Sequence, residues 1–311
     1  MRENKINIQE ALNEKPGLQV WWRLLRPHTL TAAFVPVFVG SMYALVVDEV
    51  FHIGLFITML LASLLIQAAT NMFNEYYDFV RGLDHEGSIG IGGTIVRDGI
   101  APKTILRLGF TFFGIAILLG VYICMVTSWW IAIIGIFSML IGYLYTAGPF
   151  PIAYTPFGEV TSGLLMGTVI IGISYFIQTM TVTKEVILIS FPVAIFIGAI
   201  MLSNNIRDLD NDKINGRKTI AILLGKEKAV QFLQLMFTVA YILTISYIGF
   251  GILPLLAVIS LFSVIKAQKV IKAFKAGKTP IEMMPAMAAT GKTNTIYGLL
   301  LGVSLLLTYF I

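Results

Sequence analysis

Runs of about twenty apolar residues, broken by short polar stretches, repeat along almost the whole of this 311-residue chain. A bilayer core about 30 Å thick needs ~20 such residues per crossing helix. Nine runs reach that length: 29–47, 53–74, 104–126, 129–146, 159–180, 186–206, 228–249, 251–270 and 293–311. Only 13% of the residues are charged, against roughly 25% in a soluble domain, so the chain's main solvent has to be lipid. Hydrocarbon offers no hydrogen bonds to the backbone, so each run must pair its own N–H and C=O groups as a helix. The expected fold is an all-α integral membrane protein, a single membrane domain over 1–311 with nine transmembrane helices packed as a bundle in 29–311. Residues 1–16 form a polar tail with no apolar core beside it, so no cleavable signal peptide is expected. Residues 17–28 place Trp21 and Trp22 beside Arg23 and Arg26 and read as an amphipathic helix lying at the headgroups.

Charge sets the orientation. With nine spans, Arg2 to Arg26, Arg81 to Arg107, Arg207 to Lys228 and Lys266 to Lys292 all bracket loops on one face, and only Lys184 falls on the other. The positive-inside rule then puts the N-terminus in the cytoplasm and the C-terminus outside. The expected location is the cell (cytoplasmic) membrane, multi-pass, with the long loops inside. A single cysteine, Cys124, excludes an internal disulfide, and His28, His52 and His85 have no zinc-ligand spacing.

Two polar clusters emerge on the cytoplasmic side, each behind an even-numbered span: NEYYDFVRGLD (74–84) and NNIRDLDND (204–212). Asn74 and Asp78 are four apart, as are Asn204, Asp208 and Asp212, a spacing that stacks side chains on one helix face. If Asp78, Asp84, Asp208 and Asp212 converge, their mutual repulsion calls for a divalent cation. Magnesium suits hard oxygen ligands, and the carbonyls of Asn74 and Asn205 are candidates to complete the shell. Acids alone would also serve a cation pathway. Arg81, Arg207, Lys213, Arg217 and Lys218 lie among them, however, and metal together with guanidinium is an arrangement that holds a diphosphate.

These motifs resemble the UbiA superfamily of intramembrane aromatic prenyltransferases, and within it the branch acting on 1,4-dihydroxy-2-naphthoate. The resemblance covers nearly the whole chain after the tail, through WWRLLRPHTLTAAFVPVFVGS, the two acidic motifs and YTAGPFPIAYTPFGE. It implies a UbiA-like helical bundle, Mg2+ as cofactor, and a polyprenyl diphosphate and 1,4-dihydroxy-2-naphthoate as partners within membrane lipid. It also implies transfer of the prenyl group with loss of CO2 and diphosphate to give demethylmenaquinone. By match to the family motifs, Asn74, Asp78, Asp84, Asn205, Asp208 and Asp212 are the expected metal site. Arg26, Arg81, Arg207 and Lys218 are the expected diphosphate contacts. Asp78, Asp208 and Tyr145 are the expected catalytic residues, with Tyr143 and Tyr145 shielding a cation through their ring faces or orienting the acceptor. Gly82 stands where many members carry the motif's second aspartate, so Asp84 comes two residues later, a spacing similar to the naphthoate branch.

GSIGIGGTIVRDG (87–99) lacks a P-loop ending and is expected to be a lid rather than a nucleotide site. The alternatives are another aromatic acceptor, such as 4-hydroxybenzoate, homogentisate or haem, and an ion-coupled transporter. A transporter calls for acids in mid-span, and here nearly all acids sit at span ends.

Overall fold

The computed structural model describes residues 17–83 and 93–311, and among these every regular element is helical. The tail at 1–16 and the motif residue Asp84 lie outside the described residues. Helix α1 (Leu18–Leu25) is amphipathic, burying Val20 and Leu24 and exposing Leu18 and Trp22. It ends earlier than expected because Arg26 adopts the left-handed conformation (φ 51°) and Pro27 starts the next helix at its first position.

The chain continues as α2 (Pro27–Asp48), α3 (Ile53–Val80), α4 (Thr94–Asp98), α5 (Pro102–Val126), α6 (Trp130–Leu144) and α7 (Gly158–Thr179). After these come α8 (Lys184–Arg207), α9 (Leu209–Ile214), α10 (Ile220–Leu224), α11 (Lys226–Gly249), α12 (Val264–Ala276) and α13 (Pro280–Phe310). Among the described residues, seven helices are long and apolar enough to cross a membrane: α2, α3, α5, α7, α8, α11 and α13. The other two expected spans take different forms. Helix α6 has 15 residues, about 22 Å at the α-helical rise. In 251–270 the chain turns at Gly251 (φ 69°), and Leu255–Ser263 winds as a 3-10 helix before α12. Its rise of ~2.0 Å per residue stretches the segment further than an α-helix of equal length would.

Helix ends are specified locally. Thr183 caps α8 by accepting from the Val186 N–H, and Thr279 caps α13 by accepting from the Glu282 N–H. Glu282 answers by accepting from the backbone N–H of Lys278, so the two residues close the start of α13 reciprocally. That cap lies well before 293, and the methionine-rich stretch becomes the helix's first turns, with Met283 and Met287 buried. Helix α3 likewise runs past 74, which puts Asn74 and Asp78 on regular helix.

The core joins α2, α7, α8, α11 and α13 around Phe196, Tyr297 and Tyr175. Backbones approach closely there. A Cβ on Gly167 would lie 2.5 Å from the Ala194 Cα, so only glycine lets α7 press onto α8. The contact falls in a π-helical turn, Gly163–Val169. Two pairs of buried hydroxyls bond each other across this core: Thr244 with Tyr297 at 2.7 Å and Ser263 with Tyr241 at 2.8 Å. By contrast α6 buries only Ile131 and presents most of its surface outward.

Candidate active site

The C-terminal ends of α3 and α8 meet at one cavity of about 580 Å³. Its polar end is lined by Asn74 and Asp78 from α3, Asn204, Asn205 and Arg207 from α8, then Asp208, Asp212 and Arg217. Asp208 ends α8, yet the 208 N–H bonds the 204 carbonyl and the 212 N–H bonds the 208 carbonyl. The four-residue stacking therefore carries through the junction into α9. From this end the cavity runs back along α3 to Met59, about 28 Å of helix at 1.5 Å per residue. The far part is apolar, walled by Ala116, Gly120, Ile123 and Cys124 of α5 and by Ile131 and Gly135 of α6.

Arg217 is the centre of the polar end. It donates to Asp78 at 2.9 Å and pairs with Asp212 at 3.1 Å. Tyr154 lies under its guanidinium, 5.0 Å from ring centroid to Cζ. Gly216 (φ 77°) makes the turn that swings Arg217 back, and the Arg217 N–H bonds the Asp212 carbonyl. Burial alone would lower the Arg217 pKa, but Asp78 and Asp212 outweigh it and keep the group charged. Asp212 is only 3% exposed; burial first, then Asp208 and Asp78, outweigh the pull of Arg217 and push its pKa up to about 7. Arg207 grips the neighbouring Asp208 through two donors, at 2.7 Å from Nε, with Met287 Sδ against its third nitrogen.

No three acids or histidines among the described residues lie close enough to hold a metal by themselves. The donor set nonetheless suits a hard cation. Asp212 Oδ2 and Asn204 Oδ1 are buried oxygens without a partner, and buried acceptors of this kind call for a cation or a donor. Magnesium is commonly held by one or two carboxylates with water and phosphate oxygens, so a tighter acid cluster is not required.

The UbiA prenyltransferase family profile matches residues 33–284. The chain belongs to this family. A 1,4-dihydroxy-2-naphthoate octaprenyltransferase of Bacillus subtilis is 52% identical over 308 residues, 99% of this chain and 98% of that one. A Haemophilus influenzae protein of the same name is 28% identical over 78% of this chain and 80% of its own. A UbiA homolog from Archaeoglobus fulgidus, solved bound to GPP and Mg2+, shares the fold with a TM-score of 0.64. That match is 17% identical and covers 91% of this chain and 99% of the other. An apo UbiA homolog from Aeropyrum pernix K1 gives a TM-score of 0.69 over 89% and 97% of the two chains, again at 17% identity.

In this UbiA-family bundle the two motifs converge, but not every expected residue turns inward. Asn74, Asp78, Asn205, Asp208, Asp212, Arg26, Arg207 and Tyr145 all line the cavity. Asn74 accepts from the Thr146 hydroxyl at 2.8 Å. Asn205 spends its amide nitrogen on Glu159 at 2.9 Å, which leaves its carbonyl oxygen as the free end. Arg81 and Lys218 do not line the cavity. Arg81 donates to the carbonyls of Thr146 and Gly148 and lies over the rings of Tyr77 and Tyr154. Lys218 is exposed, and its backbone N–H bonds Tyr154. Tyr143 packs against Phe73, with its hydroxyl 2.5 Å from that of Tyr77. The lid expectation falls partly outside the described residues. The part within them forms α4, held down by Glu75 and Arg23.

Asn204 joins its neighbour Asn205 at the cavity, and Arg217 stands out from the other motif cations by pairing with both acidic motifs. The four-residue register of Asn204, Asp208 and Asp212 was the available signal for the first. Nothing local marks the second, because its partner Asp78 comes from the other half of the chain.

Proposed function

We propose that this protein transfers a polyprenyl group from its diphosphate to 1,4-dihydroxy-2-naphthoate, with loss of CO2 and diphosphate. The product is demethylmenaquinone in its reduced, quinol form. One observation carries this reading: a single cavity with a carboxylate–arginine head continues into an apolar shaft nearly as long as a bilayer is thick. That shape matches a molecule with an anionic head and an isoprenoid tail. The 52% identity to the Bacillus subtilis enzyme supports the naphthoate acceptor.

Asn74, Asp78, Asn204, Asn205, Asp208 and Asp212 would hold Mg2+, with Asp84 as a further candidate from the first motif. The ion's chemistry there is to neutralise the diphosphate and make it a better leaving group. Arg26, Arg207 and Arg217 contact the diphosphate oxygens as the allylic C–O bond breaks and its electron pair leaves with the diphosphate. Arg81 and Lys218 support the site from outside, Arg81 by holding the 146–148 turn beneath Tyr145. The Tyr145 ring flanks the allylic cation. The electron-rich ring forms the new C–C bond. Its carboxylate departs as CO2, returning an electron pair that restores aromaticity. The apolar shaft excludes water from the cation.

The same reading gives nine crossings, α6 and the 255–276 helix completing the seven long ones. The N-terminus and the site face the cytoplasm and the C-terminus lies outside, in the cell membrane. Incubating purified protein with dihydroxynaphthoate, a polyprenyl diphosphate and Mg2+ should give a product whose mass shows prenyl gained and CO2 lost. Transfer to 4-hydroxybenzoate with none to the naphthoate would overturn the acceptor assignment.

A further inference from the structure

Among the polar residues that close α3, Glu75 turns away from the cavity. It is 0% exposed and does not line the site. Its Oε1 accepts from the Gly93 N–H at 2.6 Å, the Thr94 hydroxyl at 2.7 Å and the Ile95 N–H at 3.3 Å. Its Oε2 accepts from Arg26 at 3.3 Å. A buried carboxylate is tolerated only when its oxygens are fully engaged, and here α4 supplies three donors and Arg26 the countercharge. Arg23 ties α1 to the same joint through both oxygens of Asp98, at 2.9 and 3.1 Å.

Arg26 is the member of this joint that reaches the active site. It lines the cavity, and its Nε is buried without a partner. Its left-handed backbone fixes where the side chain starts, and Glu75 fixes where the guanidinium ends. We propose that Glu75 is a positioning residue for donor binding: by clamping α4 and Arg26 together it holds the Arg26 guanidinium at the diphosphate end of the cavity. This explains why a glutamate sits between Asn74 and the tyrosines of the first motif without facing the metal site. The inference rests on the reading of Arg26 as a diphosphate contact.

The test uses the full-length protein in lipid nanodiscs and measures kcat, the KM of each substrate and the thermal midpoint. Three variants are compared: Glu75→Gln, Arg26→Gln and the double variant. Glu75→Gln keeps an acceptor for α4 but removes the charge facing Arg26. It should raise the KM for prenyl diphosphate about tenfold, with the naphthoate KM and the midpoint close to wild type. The double variant should match Arg26→Gln alone, because Glu75 acts through Arg26. Thr94→Val, which removes one donor to Oε1, provides a second arm and should raise the donor KM alone, by a smaller factor. An unchanged donor KM in a folded Glu75→Gln or Thr94→Val variant overturns the proposal. Additive effects in the double variant, or an equal rise in both KM values, also overturn it. An unchanged donor KM in Arg26→Gln sinks the Arg26 contact and this inference with it. Absence of transfer by wild type sinks the proposed function itself.

Discussion

Arg217 donates to Asp78 at 2.9 Å across a sequence separation of 139 residues. The same guanidinium pairs with Asp212, so one cation joins the two acidic motifs of the bundle. Both acids are then positioned before any ion or substrate binds.

Removing that cation should expose its double role. Arg217→Met leaves two largely buried carboxylates unpaired, a change that costs about 3 kcal/mol in comparable buried pairs. The thermal midpoint should drop, and added Mg2+ should restore more of it than it adds to wild type. Turnover should fall at least about a hundredfold. An unchanged midpoint in metal-free buffer would show that the bridge contributes nothing to the fold.

Asp78→Asn and Asp208→Asn keep size and packing while removing charge. Each should lower kcat by about a thousandfold or more while the protein stays folded, with a drop in thermal midpoint smaller than that of Arg217→Met. Excess chelator should stop wild-type turnover as completely. Steady turnover in chelator would contradict the metal-site assignment.

At the proposed metal site, Asp212 should make the metal requirement pH-dependent. Burial and the nearby acids push its pKa up to about 7, so below that pH the metal-free site carries a proton on this carboxyl. A cation has to displace that proton, and the half-saturating Mg2+ concentration should fall as pH rises from 6 to 8. Titrations of turnover against Mg2+ at several pH values measure it. Asp212→Asn should flatten the dependence, and a slope of the opposite sign would refute it.

The shaft makes a prediction about the tail. Gly120 lies on the cavity-facing stripe of α5, and a Cβ added there meets no atom within 4 Å. Gly120→Phe should therefore fold and fill the shaft. Use of a short donor such as geranyl diphosphate should persist, while transfer from a long polyprenyl diphosphate falls about tenfold or more. Product mass spectrometry with donors of graded length reads the shift. Equal losses for short and long donors would place the tail elsewhere.

How much of this was legible in the chain depends on the range of the forces involved. Apolar runs of bilayer length set the helical membrane fold. Four-residue spacing set Asn74 over Asp78 and Asn204 over Asp208, because both features depend only on helix rise and periodicity. Hydropathy alone placed the last helix at 293, thirteen residues past its start at Pro280, because the turns capped by Thr279 lie before the apolar run. The 3-10 winding of Leu255–Ser263 and the short α6 carry no comparable local mark.

Which side chains face the cavity was a tertiary decision. Successive helix positions point about 100° apart, so the motif fans its polar groups around α3, and its neighbours choose among them. Asn74 and Asp78 face the site, Glu75 is captured by Gly93 and Arg26, and Arg81 is captured by the 146–148 carbonyls. The pairing of Arg217 with Asp78 likewise exists only once α3 and α8 end side by side. Local pattern by itself determined a membrane bundle with two polar helix ends. Only the packed bundle decided which of those polar groups share one cavity, because charge pairing over a few ångströms depends on distances that sequence spacing does not contain.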